Sequence, residues 1–392
     1  MAVWGIIAEY HPFHNGHLHQ INTIRKKDKK ATVIAVMSGN FMQRGTPAII
    51  DKWLRTAMAL AGGVDLVLEL PAVFAVQAAD FFARGGVSVL AQMQVNHLCF
   101  GSEAGDTIDF LKNAQLYLEN EAAIFEKVRS YSKKMPYPEQ LEKAWSAVVP
   151  EGTIDLAEPN NLLGFAYAKE VLRQEVLMTV EPVKRLVSHH HEQVVTEEAH
   201  ISSGQAIRES LMAGRAVDQV VPSATEKILS QWLTHYLSWT DFWPYLKYEI
   251  LTSPTRSLKS IYQMTQGLEY LLKKEIKQAN SYQDFLNRIK TRTYTQARLE
   301  RLLVYVLLKW RADTVKKELN QSAPLRVLGF SHRGQAHLKY LKQKHNVRPD
   351  TIIGRDATQK YARDIAAGEI YRLADPKQLS LQDYTKKPLQ KY

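Results

Sequence analysis

His14 and His17, separated by Asn15 and Gly16, stand where an apolar run ends and an amphipathic run begins. Val3 to Ala8 reads as a buried parallel strand. Leu18, Ile21 and Ile24, three residues apart, place a helix directly after Gly16. A strand that feeds a helix through a tight turn points unpaired N–H groups and a positive dipole end at whatever lies beyond the strand, which suits phosphate. Gly16 lets the backbone approach such a ligand with no Cβ in the way. Two imidazoles three residues apart reach the same oxygens and donate hydrogen bonds where negative charge builds up on phosphorus. The alternative is a chance loop with exposed histidines, and the ordered succession of strand, Pro12, motif and helix argues against it.

This segment resembles the H-x-G-H signature of the nucleotidyltransferase and class I aminoacyl-tRNA synthetase superfamily. The resemblance implies attack on the α-phosphate of ATP and loss of pyrophosphate, with the histidines assisting its departure.

The elements that must position the motif follow from the pattern of the first half. Further strands are expected at Thr32 to Met37, Val64 to Leu70, ended by Pro71, and His97 to Phe100, with helices at about 53–61 and 73–93 between them. Alternating strands and helices predict an α/β, Rossmann-like fold with a parallel sheet, whose ligands sit beyond the C-terminal strand ends. Helices are expected from Asp106 to about Tyr131, near Glu139 to Val149 and from Asn161 to Leu172, and a strand at Val176 to Val180. Ser202-Ser203 opens a helix that Gly214 closes. From Pro222 helical patterns dominate, with one short strand at Leu325 to Phe330 and a frayed polar tail after Pro376. The expected division is a nucleotide-binding domain over 1–220 and a mainly helical basic domain over 221–392.

Other constellations fall in the loops. Met37 to Gly45 follows the second strand, and its Arg44 could meet a phosphate or carboxylate bidentately. Asp51, Lys52 and Arg55 open a helix and read equally well as a ligand-facing set or as a solvated helix end. Gly101, after the fourth strand, leaves bare backbone for an adenine or ribose. Asn160-Asn161 caps a helix and Lys184-Arg185 follows a strand. Ser202, Ser203 and Arg208 would form a second anion site at a helix start. His189-His190-His191 reads as a loop rather than a metal site, because three adjacent histidines cannot all ligate one ion from a regular strand and no acidic or cysteine partner has matching spacing. No metal site is expected.

Composition bounds the setting. A lone cysteine, Cys99, permits no internal disulfide or zinc cluster and reads as a small buried hydrophobe; the expected compartment is reducing cytoplasm. Val64 to Leu90, the most apolar region, is broken by Asp65, Glu69, Asp80 and Arg84, so no membrane span is expected. The net charge of +11 is uneven: residues 251–392 hold 28 Lys and Arg against 12 Asp and Glu, while residues 1–250 are slightly acidic. Such asymmetry points to a polyanion partner for the C-terminal third, though a merely soluble basic surface gives the same sum. Lys273, Lys274, Lys277, Arg288, Lys290 and Arg292 are the candidate RNA contacts.

The longer stretches GIIAEYHPFHNGHL, AVMSGNFMQRGTPAIIDKWLRTAMAL, GVDLVLELP, CFGSE, EPNNLLGFAYAK, VKRL and ISSGQAIRESL are similar to those of the bacterial tRNA(Met) cytidine acetate ligase family over residues 3 to about 215. LGFSHRGQAHL and RDATQKYARDI extend a looser match. The resemblance implies a ligase that makes acetyl-adenylate from acetate and ATP, the Mg2+ being carried by the nucleotide, and then acetylates N4 of the wobble cytidine of elongator tRNA(Met). It implies an ATP site along Ile7, Ala8, Glu9, Tyr10, His11, Pro12, Phe13, His14, Asn15, Gly16, His17, Leu18, His19 and Gln20. Gly101, Asn161, Arg185 and Leu186 would also contact the nucleotide, with Ser202, Ser203 and Arg208 on its phosphates. His11 stands where the family usually has asparagine, and the histidine run replaces a loop containing Gly and Tyr. Two other readings stay open: a small-molecule adenylyltransferase, disfavoured by the basic extension, and a non-catalytic RNA-binding module, disfavoured by the intact histidines and serine-arginine helix.

Overall fold

Strand β1 (Val3–Ala8) alternates its side chains between two cores: Trp4 and Ile6 pack on one face of a sheet, Val3 and Ile7 on the other. It is followed by α1 (Asn15–Lys27), β2 (Thr32–Ser38), α2 (Lys52–Ala61), β3 (Leu66–Leu70), α3 (Ala72–Ala75), α4 (Ala79–Gln92) and β4 (His97–Ser102). Then come α5 (Phe110–Glu119), α6 (Glu121–Ser130), α7 (Tyr137–Val148), α8 (Pro159–Arg173), β5 (Thr179–Lys184) and α9 (Gly204–Met212). The rest is helical, as α10 (Ser223–Gln231), α11 (Trp239–Thr252), α12 (Thr255–Lys259), α13 (Leu268–Glu275), α14 (Tyr282–Ile289), α15 (Gln296–Leu307) and α16 (Ala312–Leu319), until β6 (Arg326–Ser331). The chain ends through α17 (His332–Lys344), α18 (Ala362–Ala374), α19 (Gln382–Thr385) and β7 (Leu389–Lys391). The computed structural model describes residues 2–132, 135–185, 200–231, 235–265, 267–354, 357–375 and 382–391. Leu186 and the run His189-His190-His191 lie outside the described residues.

The strands form one sheet in the order β5-β4-β1-β2-β3-β6-β7. Every neighbouring pair is parallel except β3 with β6. The chain order reverses between β1 and β4, so the crevice for a ligand opens over their C-terminal ends. One core face gathers α1, α2 and α9 through Ile21, Ile24, Met58, Leu60, Ile207 and Leu211. The other begins with α4 and α8 and runs without a break into α11, α13 and α15. The helical region beyond residue 220 therefore shares its core with the sheet, and β6 and β7 extend that sheet.

Three local expectations shift. The strand expected at Val176 to Val180 starts at Thr179, because Glu175, at φ 51°, and Val176 close the end of α8. As an edge strand β5 tolerates Pro182. The helix expected over 73–93 is two, α3 and α4. Residues 382–391 of the tail are not frayed: β7 pairs with β6, and Asp383 is buried in an ion cluster.

Candidate active site

Beyond the C-terminal ends of β1 and β4 lies a cleft of about 760 Å3. Its floor is Ile7, Ala8, Glu9, Tyr10 and His11, with His14, Gly16, His17, His19 and Gln20 from the start of α1. Gly101 from the end of β4, Arg185 and Ser202 from later loops and Arg208 from α9 complete the set, so most of the residues expected from sequence line one cavity although up to two hundred positions separate them. Pro12, Phe13, Asn15, Leu18, Asn161 and Ser203 stand behind the wall. Phe13 is fully buried, and Asn15 Nδ2 donates to the carbonyls of His200 and Gln219 (2.8 and 2.9 Å), tying the loop before α9 to the motif.

The two histidines cap their own helix. His14 Nδ1 accepts the Gly16 N–H (3.1 Å), and His17 Nδ1 accepts the His14 N–H (3.2 Å), a reciprocal capping box built from imidazoles. The rings stack with centroids 3.7 Å apart. A Cβ on Gly16 would lie 2.9 Å from His14 Cε1, so only glycine permits this closeness. Because both Nδ1 atoms accept, each neutral ring carries its proton on Nε2. Burial holds His14 down to about 3, with Arg185 and Arg208 adding to the effect. Burial likewise holds His17 well below its ordinary value, reinforced by His14 and Arg185. The pair is thus two neutral donors. His14 Nε2 faces the start of α9: a Cβ on Gly204 would come within 3.8 Å of it and 3.2 Å of Arg208 Nη1.

Helix α9 and the loop before it bring Ser202 and Arg208 to the cleft. Ser203 Oγ caps it by accepting the Ala206 N–H (3.1 Å), Ser202 is buried on the cleft wall, and Arg208 Nη1 donates to the His11 carbonyl (2.9 Å). His11 itself accepts the Ile49 N–H on Nε2 (2.8 Å), and burial, then Arg208 and Arg55, lower its pKa. It joins the β1 and β2 loops rather than offering a free ring. Arg208→Ala is expected to weaken ATP binding by about tenfold or more, the scale of a missing charge-assisted bond. Calorimetry should show this while RNA affinity holds; equal losses of both would place Arg208 in the fold instead.

At the β4 end, Asn161 accepts from Ser102 Oγ (2.7 Å), and the Glu103 carboxylate accepts the Asn161 N–H (3.0 Å) beside Arg185 (3.7 Å). The cap of α8 is Glu158 with Pro159 at its first turn, not the asparagine pair, which instead braces the Gly101 loop. Gln20 Nε2 donates to the Cys99 carbonyl (3.0 Å), and Cys99 is buried, its thiol pushed up to about 12 by burial. Burial also raises Glu9, against the Gln43 N–H it accepts (2.6 Å) and the charges of Arg208, Arg55 and Arg44.

Of the helix α2 set, none is a solvated end. Asp51 caps the helix, Arg55 is buried and donates to the carbonyls of Glu9 (2.7 Å) and Ser38 (3.0 Å), and Lys52 is buried in ion pairs. They hold the loops that shape the cleft. Sequence reasoning missed Tyr167, Asp80, Lys169, Ala297 and Arg301 on the cleft wall. Among the described residues no group of three or more His, Cys, Asp or Glu side chains could hold a metal ion, and no helix is long and apolar enough to cross a membrane.

A neutral donor pair, a helix start and an arginine around one cavity can hold a polyphosphate and steady charge on it as a bond to phosphorus breaks. The family HIGH Nucleotidyl Transferase matches residues 1–387. The chain is 38% identical to the tRNA(Met) cytidine acetate ligase of Bacillus licheniformis, over 99% of this chain and 97% of that one. It is 36% identical to that of Bacillus subtilis, with the same coverage. Two crystal structures of Thermotoga maritima TmcAL, one apo and one bound with alpha-thio ATP, superpose with TM-scores of 0.90 and 0.88 at 27% identity, covering 100% of this chain and 99% of theirs. The chain belongs to the HIGH nucleotidyl transferases and, within them, to the tRNA(Met) cytidine acetate ligase family.

Proposed function

We propose that the protein is an ATP-dependent acetate ligase acting on elongator tRNA(Met) in the cytoplasm. An acetate oxygen attacks the α-phosphate, the bond to the β-phosphate oxygen breaks, and pyrophosphate leaves with the acetyl-adenylate behind. The N4 amine of the wobble cytidine then attacks the acetyl carbon, AMP departs, and loss of one N4 proton gives N4-acetylcytidine. The observation that carries this reading is the stacked His14–His17 pair, both rings accepting backbone N–H bonds on Nδ1, with His14 Nε2 near the α9 start and Arg208. Mg2+ would enter on the nucleotide's phosphates. Incubation with ATP, labelled acetate and purified tRNAs should yield AMP, pyrophosphate and acetylated tRNA in equal amounts. A dinucleotide product, or binding without turnover, would overturn the assignment.

The RNA is proposed to approach along α13, α14 and the loop into α15. That loop ends on the cleft, since Thr295 and Ala297 line it. Lys273 Nζ donates to the Leu251 carbonyl (2.9 Å) and Arg288 pairs with Asp284 (2.8 Å), whereas Lys277, Lys290 and Arg292 are exposed and their side chains make no hydrogen bond or ion pair among the described residues. Lys274 is exposed beside Glu275 (3.5 Å). Reversing Lys290 and Arg292 to Glu should therefore weaken tRNA binding more than reversing Lys273 and Arg288. It should also reduce the slope of log affinity against log salt by about one for each phosphate no longer neutralised. Adenylate formation should be unchanged. Equal tRNA affinity at physiological salt would reduce the charge asymmetry to a solvated surface.

A further inference from the structure

The anchors described so far occupy the half of the cleft over β1, β4 and β5. The opposite half, over the C-terminal ends of β2 and β3, is walled by Gln43 and Arg44, by Ala78, Ala79 and Asp80, and by Ala297 and Arg301. Three elements meet there closely. Gly45, at φ 90°, abuts α15 so tightly that a Cβ would lie 2.2 Å from the Arg301 backbone nitrogen. Tyr305 Oη donates to the Val76 carbonyl (2.7 Å), and Gln43 Nε2 donates to the Gln77 carbonyl (2.7 Å), so α15 and the β2 loop both close on the start of α4.

Two features of this end point to an anion. Arg301 lines the cleft at 9% exposure, forms no ion pair among the described residues, and has its Nε buried without a partner. Its polar neighbours are the Tyr305 hydroxyl and two further cations, Arg298 and Arg44. The adjacent carboxyl, Glu300, is turned to Gln296 (3.1 Å) and pushed by burial toward its neutral form. On the same wall as Arg301, α4 has Ala78 at its N-cap with no side-chain hydrogen bond, so the N–H groups of its first turn have no capping side chain, and Ala78 to Asp80 line the cleft. Asp80, in that turn, has its charge matched by the buried Lys169 (2.8 Å).

We propose that Arg301 and the uncapped start of α4 form the subsite for the carboxylate of a short-chain acid, the co-substrate that attacks the nucleotide. This rests on the ligase reading above and adds the place where acetate is held. A guanidinium presents parallel donors that match a carboxylate's two oxygens. A phosphodiester of folded RNA would not reach a side chain this buried, and a neutral base would leave the charge uncompensated. Ala78 and Ala79, on the same wall of the cleft, present small apolar side chains that suit the methyl group of a short acid. Arg44 is exposed and Arg298 half-buried, so Arg301 is the most deeply placed of the three cations.

The test is acetate-dependent ATP–pyrophosphate exchange without tRNA, with ATP affinity measured separately by calorimetry. Arg301→Gln should raise the acetate KM by about 10- to 100-fold, the scale of a missing charge-assisted pair. ATP affinity and the melting temperature should hold. Arg301→Lys should recover part of the loss, keeping the charge without the planar fork. An unchanged acetate KM in Arg301→Gln, or an ATP affinity that falls with it, overturns the subsite alone. Intact exchange with lost tRNA acetylation assigns Arg301 to RNA and also overturns it. A wild-type protein that binds ATP yet shows no acetate-dependent exchange overturns the ligase reading and the subsite together.

Discussion

Alanine in place of His14 or His17 is expected to lower the rate of adenylate formation by about 10² or more, with a modest change in ATP affinity. Both rings accept backbone N–H bonds on Nδ1, which leaves the proton of each on Nε2, and both rings line the cleft. Burial keeps them neutral, so on the proposed reaction the imidazoles would act as fixed dipoles, strongest where charge grows during bond breaking, and Arg208 would supply positive charge. Losing one such donor costs about 2.7–4 kcal/mol of transition-state stabilisation. Loss of His14 also removes the cap on α1, so a drop in thermal stability of about 1 kcal/mol should accompany that variant and not change its ATP affinity. The measurement is single-turnover adenylate formation, or pyrophosphate exchange, at saturating ATP. Unchanged exchange in both variants would remove the histidines from the chemistry.

The gathering of His14, His17, Ser202 and Arg208 around one cleft was legible in the sequence because its signals are local. A strand, a turn and a helix within twenty residues place His14 and His17, and the serine pair with Arg208 follows the same logic at α9. Arg301 was not legible by spacing, since its partners in space are Arg44 and the start of α4, joined only by the packing of the helical region onto the sheet. One sequence signal existed: an arginine directly before the apolar run LLVYVLL, where helix α15 is otherwise buried. A charge at a buried position requires a partner. The basic count after residue 250 pointed to a separate helical module, yet Arg326 lies in β6 within the sheet and is buried. Charge counts carry no information about which cations face water.

Lys52→Met is expected to cost about 3–5 kcal/mol of stability, the scale for removing one partner from a buried ion pair. Lys52 Nζ meets Glu69 (2.7 Å) and Asp383 (2.5 Å), and Arg326 Nη1 meets the same two carboxylates (2.9 and 2.6 Å). All four side chains are no more than 6% exposed. The cluster joins α2, β3, β6 and α19, which is why the end of the chain is ordered. Two cations balance two carboxylates only while Asp364 nearby stays protonated. Burial, then Glu69, raises Asp364 to about 7, against the Ala72 N–H it accepts (2.7 Å) and the charges of Lys52 and Arg326. A carboxyl raised in the fold favours the native state below its unfolded pKa and loses that contribution as pH climbs toward 7. Removing Lys52 raises Asp364 further, which extends the loss above pH 7. Urea unfolding should therefore show a larger deficit for Lys52→Met at pH 8 than at pH 6. A loss under about 1 kcal/mol at both would mean that Arg326 alone balances the cluster.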